Sequence, residues 1–425
     1  MNAGREHSSA TKPQTRLLDI IDADRQDLVA LCLELGNTPS PHGKELPLAT
    51  KVSDWLKAAG IESWLQPITS ESANAVGLIP GASDGASLIF NAHLDTGPAI
   101  PANAPERVRR INEAWVEGDL LYGSGVVNDK GQLAAFMIAA RAILKAGLRL
   151  KGDLLVTAVA FETGAPSVGD RQGINYPGEG FGSWWLFNRG VTADYALVGE
   201  TSGFGLITAE CGEVGVEVRV AGRSVYTPRL ERGASLAENP SSVVRTAHLV
   251  PALEEWAIQY EQRNRLEFAG GTIVPKAQIK AVHGTPGETV LHMDVRLLPG
   301  AYPRAVIRDL RRHLTGRGFD CEVRPFQWSR GYIARNAEPL VAAIEQSHEV
   351  IFGAKPPLPP TSEVSMWRDV NMFNEVGIPS ICYGPPRQHE TYSDAQDRAM
   401  KIDDLVSATK VYALTALNMC GLVTE

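Results

Sequence analysis

The chain has 425 residues, a net charge of −8 at pH 7, and hydrophobic and charged fractions of 44% and 21%. This length favours two domains, and the composition is that of an ordinary globular protein. The acidic balance argues against nucleic-acid binding, and no window of about 18 uncharged apolar residues predicts a membrane span. Five cysteines without a CxxC pair fit a reducing compartment, so we expect a cytoplasmic protein.

Residues 16–200 alternate between helical and strand patterns. Such alternation predicts an α/β fold in which helices cover a mixed sheet. A glycine-rich turn at residues 123–131 leads into a helix with apolar residues at helical spacing. The predicted helices are 24–35, 44–59 and 132–146, and the predicted strands are 87–90, 154–161 and 193–198.

Residues 207–325 change character and predict a small inserted domain. Their elements follow the order β-α-β-β-α-β, which is typical of a ferredoxin-like unit. We therefore predict a discontinuous metal-binding catalytic domain, 1–206 and 326–425, that ends in a helix at 402–417. The insert at 207–325 is predicted to be a lid and dimerisation domain. Its elements are strand 214–220, helix 241–263, strands 276–282 and 289–298, helix 305–314 and strand 321–324.

Several residues of the metal-binding type follow predicted strands or lie in glycine-rich turns. Ligands of α/β proteins collect at the carboxyl ends of strands, so the positions favour one common site. Taken singly each signal is weak, since an isolated histidine or glutamate is more often solvated, and an asparagine before a helix is more often an N-cap. These residues are His93, Asp95, Asn128, Glu162, Glu200 and His389.

In the same order, these motifs resemble those of the dinuclear zinc peptidase family that includes carboxypeptidase G, the aminoacylases, acetylornithine deacetylase and succinyl-diaminopimelate desuccinylase. The matching segments are HLD at 93–95, GSGVVNDKG at 123–131, FETG at 161–164, GET at 199–201 and GPPRQH at 384–389. The resemblance implies a zinc or manganese site, with Asp95 holding the ring tautomer of the histidine ligand. The implied ligands are His93, Asn128, Glu162, Glu200 and His389.

Three positions depart from the family pattern. Asn128 stands where the family has an aspartate that bridges two metal ions, although the neighbouring Asp129 would supply that carboxylate after a register shift. The ungapped spacing to the following Lys-Gly disfavours such a shift. Phe161 stands in the slot of the general base, and Tyr226 stands where the family has a histidine that stabilises the reaction oxyanion from the partner subunit.

These departures imply one tightly bound divalent ion, with a second site at most weak. Either His93 and Glu200 or Glu162 and His389 would hold the ion, with Asn128 shared by both arrangements. In the first arrangement, which we favour, Glu162 is free to act as the base that Phe161 cannot be.

The predicted activity is hydrolysis of a C–N bond in a small carboxylate substrate by a homodimer. Arg296 and Arg330 are candidate carboxylate clamps, and Phe161 is a candidate aromatic contact. The resemblance within the family favours an aminohydrolase that acts on an aromatic amine such as 5-nitroanthranilate, whose nitro group accepts the charge of the attack. The alternatives are an N-acyl amino acid deacylase, a metallo-carboxypeptidase or dipeptidase, and a non-catalytic binding protein on a peptidase scaffold.

Overall fold

The computed structural model describes residues 12–97, 103, 113–123, 125–163, 168, 173–174, 176–388 and 399–423. All the predicted helices and strands are present, with ends that differ by a few residues. Within the described residues, no helix combines the length and the apolar character that a membrane crossing requires. The helices are α1 (Lys12–Ala23), α2 (Arg25–Gly36), α3 (Leu46–Ala58), α4 (Gly131–Lys145), α5 (Phe181–Asn188), α6 (Ser242–Arg263), α7 (Pro303–Gly316), α8 (Glu338–Phe352), α9 (Thr361–Val364), α10 (Val370–Glu375) and α11 (Ile402–Cys420).

Most strands belong to two sheets, one of six strands and one of four. The remaining strands form a hairpin and a small three-stranded sheet. The strands are β1 (Glu62–Pro67), β2 (Ala73–Ile79), β3 (Leu88–His93), β4 (Trp115–Glu117), β5 (Leu120–Tyr122), β6 (Leu154–Val159), β7 (Tyr195–Gly199), β8 (Gly212–Ala221), β9 (Leu266–Phe268), β10 (Gly271–Ile273), β11 (Ala277–Thr285), β12 (Glu288–Leu297), β13 (Glu322–Ser329), β14 (Ser380–Tyr383) and β15 (Ala399–Lys401).

The six-stranded sheet has the order β1-β2-β6-β3-β7-β14. Strands β6, β3, β7 and β14 are mutually parallel, while β2 is antiparallel to β6 and to β1. The sheet is therefore mixed, as predicted. Because the four parallel strands run the same way, the residues that follow them meet at one edge. The pattern analysis missed β1 and β2, the antiparallel pair that extends the other side of the sheet.

Helices cover both faces of this sheet, and α4 is the most buried of them. Its small and apolar residues pack under the sheet together with residues of α1, α2 and α11. The Phe136 ring stacks on Phe90 of β3, with ring centroids 4.5 Å apart. A Cβ on Gly199 would lie 2.5 Å from the Phe136 ring. Glycine at the end of β7 therefore lets α4 pack closely against the strand that leads to the candidate site.

The four-stranded antiparallel sheet has the order β11-β12-β8-β13 and a separate core. Alternate valines of β8, from Val214 to Val220, are buried against α6 and α7. Helix α7 buries Val306, Ile307, Leu310 and Leu314, which lie on one face at helical spacing. This βαββαβ arrangement confirms the predicted small insert. Its boundaries at 207 and 325 remain predictions.

Candidate metal centre

The candidate site lies where the parallel strands of the six-stranded sheet end. His93 is the last residue of β3, and Glu200 directly follows β7. Glu162 comes three residues after the end of β6, and Asn128 lies in the turn Val126–Lys130 that precedes α4. The topology thus brings together four of the five predicted ligands. The fifth, His389, lies outside the described residues.

The imidazole of His93 is oriented by a backbone group. Its Nδ1 lies 2.9 Å from the carbonyl oxygen of Asp95, so Nδ1–H donates to that oxygen, and in the neutral imidazole Nε2 carries the lone pair. The carboxylate of Asp95 is farther away, 3.6 Å from Nδ1. The sequence predicts that this carboxylate fixes the tautomer, but the carbonyl is the closer partner.

Three oxygen atoms surround the free Nε2 of His93. Asn128 Oδ1 lies at 3.5 Å, and Glu162 Oε2 and Glu200 Oε1 each lie at 3.7 Å. Metal–ligand bonds of about 2.0–2.2 Å in a tetrahedral site put neighbouring ligand atoms about 3.4 Å apart. The distances from Nε2 to Asn128 Oδ1 and Glu200 Oε1 therefore fit one divalent ion held by these three residues, and nitrogen with carboxylate oxygen suits zinc or manganese.

Asp129 also belongs to this cluster. Its Oδ2 accepts a hydrogen bond of 3.3 Å from the backbone N–H of His93, and its side chain is buried. Ligand-type atoms of His93, Asp129 and Glu200 lie within 4.8 Å of one another. The peptide bond between Asn128 and Asp129 is cis. The side chains of both residues face the centre: Asn128 contributes an amide and Asp129 a carboxylate.

The carboxylates of the cluster repel one another in a buried setting. Burial, followed by repulsion from Asp369 and Glu200, raises the pKa of Glu162 well above its usual range. Burial and the nearby Glu200 likewise raise the pKa of Asp129. Such crowding is relieved when a cation binds among the carboxylates. The donor set and its charge therefore both fit a divalent ion.

Asp95 holds the backbone that carries Glu162. Its carboxylate accepts hydrogen bonds from the N–H groups of Glu162 at 2.9 Å and of Thr163 at 2.8 Å, and from the Thr163 hydroxyl. Burial opposes ionisation, but these donors and the nearby His42 and His93 keep the pKa of Asp95 well below its usual range. Asp95 therefore remains a carboxylate and anchors this turn.

Phe161, which stands in the predicted base slot, does not open onto solvent. The residue is fully buried, and its ring meets the His42 ring edge-on at 4.8 Å. Its φ of 59° lies in the left-handed region, which costs a bulky residue about 1–3 kcal/mol. This conformation turns the chain after β6, so that Glu162 faces His93. Contact of Phe161 with a substrate remains a prediction.

The two predicted arginine clamps have different surroundings. Arg296 forms ion pairs of 3.1 Å with both Glu213 and Asp294. Arg330 instead lies over the Tyr302 ring, 4.8 Å from its centroid, and its Nε is buried without a hydrogen-bond partner in the described structure. Of the two, Arg330 is therefore the better candidate for a substrate carboxylate.

Arg330 lines two cavities. The smaller, of about 240 Å³, is also lined by Phe181, Trp184 and Trp328. The Phe181 ring lies 6.2 Å from the Phe161 ring, next to Glu162 in the chain. The larger, of about 540 Å³, is lined by Arg330 together with Tyr302, Tyr332 and Arg335. Aromatic rings and a cation therefore line both cavities, and one ring of the smaller cavity packs against the neighbour of Glu162 in the chain.

Tyr226 lies on the inserted domain and is 73% exposed. This exposure leaves the phenol free to reach a second subunit, which stays a prediction.

The sequence analysis did not identify two buried groups near the centre. His42 lies 3.6 Å from Asp95, and both its ring nitrogens lack a hydrogen-bond partner in the described structure. Arg368 is buried among three glutamates. No local pattern marks either residue, because Asp95 is distant from His42 along the chain, and Glu200 and Glu210 are distant from Arg368.

The model of peptidase family M20/M25/M40 matches residues 89–418. The chain is 23% identical over 450 residues to N-formyl-4-amino-5-aminomethyl-2-methylpyrimidine deformylase of Bacillus subtilis, which covers 95% of this chain and 97% of the relative.

Among solved structures, human carnosine dipeptidase 1 is similar with a TM-score of 0.70 and 16% identity, over 96% of this chain and 99% of that one. The Bacillus subtilis YXEP protein, a dinuclear metal-binding peptidase, has a TM-score of 0.60 and 14% identity, over 95% of this chain and 100% of that one. At these identities the two structures show a shared fold.

Proposed function

The chain belongs to peptidase family M20/M25/M40 and is a metal-dependent hydrolase of C–N bonds, and we propose that it uses one tightly bound zinc or manganese ion to remove the amine of an aromatic carboxylate such as 5-nitroanthranilate. The observation that carries this proposal is the set of atoms around His93 Nε2. Asn128 contributes a neutral amide oxygen there, in the slot where a bridging carboxylate would hold a second ion. His93, Glu200 and Asn128 are the proposed ligands.

A bound divalent ion supplies Lewis-acid chemistry and lowers the pKa of a water molecule. Glu162 is proposed to take the proton from that water, since Phe161 has no group that accepts one. Its Oε2 lies 3.7 Å from His93 Nε2, and Asp95 fixes its backbone. Glu162 therefore has the position and the support that a base requires.

On an aromatic amine, the attacking oxygen forms a bond to the ring carbon that bears nitrogen. The electron pair moves into the ring and its nitro group, then returns as the C–N bond breaks and ammonia leaves with the proton from Glu162. Because the nitro group carries the developing charge, a second metal ion is needed less than in amide hydrolysis. Arg330 is proposed to hold the substrate carboxylate, and the rings of Phe181, Trp184 and Trp328 to flank the substrate ring.

The second candidate is hydrolysis of an amide in a small carboxylate, by a deacylase or dipeptidase. The deformylase of Bacillus subtilis and the human dipeptidase, as their names state, act on bonds of this class. Turnover of 2-aminobenzoates without turnover of N-acyl amino acids or dipeptides supports the first candidate. The reverse result supports the second.

We propose that the active unit is a homodimer formed through the inserted domain, with Tyr226 reaching the neighbouring centre. The support is the exposure of Tyr226 and the edge position of β11 in its sheet. Light scattering tests the assembly directly. A fully active monomer would exclude a shared site.

The metal count tests the proposed ligand set. We expect elemental analysis to find about one tightly held ion per chain, and Asn128→Asp to raise that count toward two because it restores a bridging charge. Two tightly held ions in the unmodified protein would contradict the proposal.

A further inference from the structure

A fully buried arginine lies directly behind the candidate metal centre. Arg368 precedes α10, and its side chain is 4% exposed. Its Nε lies 3.5 Å from Glu200 Oε2, its Nη1 lies 2.5 Å from Glu210 Oε1, and its Nη2 lies 2.6 Å from Glu363 Oε2. The backbone carbonyls of Thr201 and Glu363 accept further hydrogen bonds from it. The guanidinium is thus held in one orientation.

The two oxygens of Glu200 face different neighbours. Oε1 faces His93 Nε2 at 3.7 Å, where an ion fits, while Oε2 faces Arg368 at 3.5 Å. The pairing with Arg368 would therefore leave Oε1 as the oxygen of Glu200 that is directed at a bound ion.

The charge of the site points the same way. Arg368 places a positive charge 3.5 Å from Glu200 Oε2, and Asn128 contributes a neutral amide oxygen to the same centre. Arginine stays protonated at all ordinary pH values, so this charge is permanent.

We propose that Arg368 is a positioning residue that supplies the positive charge a second metal ion would supply, and that it thereby limits the centre to one tightly bound ion. This inference rests on the proposed single-ion function. It assigns to one buried side chain the choice between a mononuclear and a dinuclear centre.

The test compares the unmodified protein with Arg368→Met and Arg368→Lys. Each is stripped of metal, reloaded with Co²⁺, and analysed for ions per chain and for visible absorption, which reports the ligands of the ion. We expect one ion in the unmodified protein. We expect more than one, with a changed spectrum, in Arg368→Met, because Glu200 gains its second oxygen and the site loses a positive charge. Arg368→Lys retains the charge and should keep one ion.

Arg141→Met is the matched control, since Arg141 is a largely buried arginine that pairs with Asp24 and Asp27 at 2.8 Å, away from the centre. It should leave the count and the spectrum unchanged. If Arg368→Met does not fold, Arg368→Met combined with Glu210→Gln removes one buried charge of each sign. The same change in count is expected of that double variant.

One ion and an unchanged spectrum in a folded Arg368→Met, or in the double variant, would overturn this inference alone. No ion, or two ions, in the unmodified protein would overturn the proposed single-ion function and this inference together.

Discussion

The buried Arg368 and the partly buried Arg296 both lie among carboxylates, and their surroundings differ in one respect. Arg368 stands at the edge of the six-stranded sheet with Glu200, Glu210 and Glu363. Arg296 stands on β12 of the inserted domain with Glu213 and Asp294. Only the first group includes a carboxylate that also faces a free imidazole nitrogen.

The difference separates a metal centre from a structural ion-pair cluster. Around Arg296 the guanidinium meets carboxylates directly. Burial and the neighbouring Glu213 raise the pKa of Glu179, which favours a shared proton in that group. Around His93 three side-chain oxygens lie within 3.7 Å of one ring nitrogen, and Arg368 pairs with only one of these side chains. Carboxylates and arginine alone therefore do not mark a metal site.

The largest expected effect is that of Glu162→Gln, which tests whether Glu162 is the base beside the metal centre. Turnover should fall about 1000-fold, because the amide cannot accept a proton. Metal content should persist, since His93, Glu200 and Asn128 remain. Kinetics and elemental analysis on the same preparation check both points.

Glu217→Gln is the matched substitution in the inserted domain, where Glu217 pairs with Arg324 and Arg219. It should leave turnover within a few-fold. Loss of metal in step with activity in Glu162→Gln would make Glu162 a ligand and refute its role as base.

The pH dependence of stability is the next largest effect. Burial raises the pKa of Glu210 to about 7, against 4.5 for an ordinary glutamate. The folded state then binds this proton more tightly than the unfolded state. Glu210 therefore contributes about 3 kcal/mol to the free energy of unfolding. This contribution is fully present below pH 4.5 and is lost as the pH rises to about 7.

Thermal melts of the metal-free protein should therefore give a lower Tm at pH 8 than at pH 5. Glu210→Gln should reduce the difference. Glu217→Gln should not, because Arg324 and Arg219 outweigh burial and lower the pKa of Glu217, which reverses the sign of its contribution. A metal-free protein that is as stable at pH 8 as at pH 5 would contradict this assignment.

The two candidate clamps should respond differently to loss of charge. Arg330→Met should raise KM for a carboxylate substrate about 30-fold and change kcat little, since no ion pair of Arg330 is found among the described residues. Arg296→Met should instead lower the free energy of unfolding by about 2 kcal/mol, because Glu213 is left buried without its partner. Steady-state kinetics and denaturant unfolding of both variants check this. A KM effect confined to Arg296→Met would reverse the assignment.

The smallest effect is expected from Tyr226→Phe. Loss of one hydrogen-bond donor to a reaction oxyanion should lower kcat about 10-fold with KM unchanged. Tyr302 is also exposed, so Tyr302→Phe is a suitable control for the loss of a surface phenol in the same domain. KM should be measured for this control as well, because the Tyr302 hydroxyl accepts a hydrogen bond from Arg330. Equal turnover in Tyr226→Phe and the unmodified protein would remove Tyr226 from the mechanism.

Much of the fold followed from local patterns. The alternating valines of β8 predicted a strand with one buried face, and the apolar spacing of α4 and α7 predicted amphipathic or buried helices. Strands β1 and β2 were missed, because β2 is buried on both faces and its short apolar run carries no alternation. Pairing with β6 settles that segment as a strand.

The sequence by itself determined which residue types stand after each parallel strand, because residue identity and strand position are local properties. His93, Glu162 and Glu200 were therefore predictable as a group, as was the amide of Asn128 in the turn before α4.

Only the tertiary structure decided which contacts each of those groups makes. Arg368 meets Glu200 across 168 positions of the chain and meets Glu210 across 158. The carbonyl of Asp95, rather than its carboxylate, orients His93. These outcomes depend on distances of a few tenths of an ångström between atoms that folding brings together, and hydrogen bonds and ion pairs change steeply over such distances.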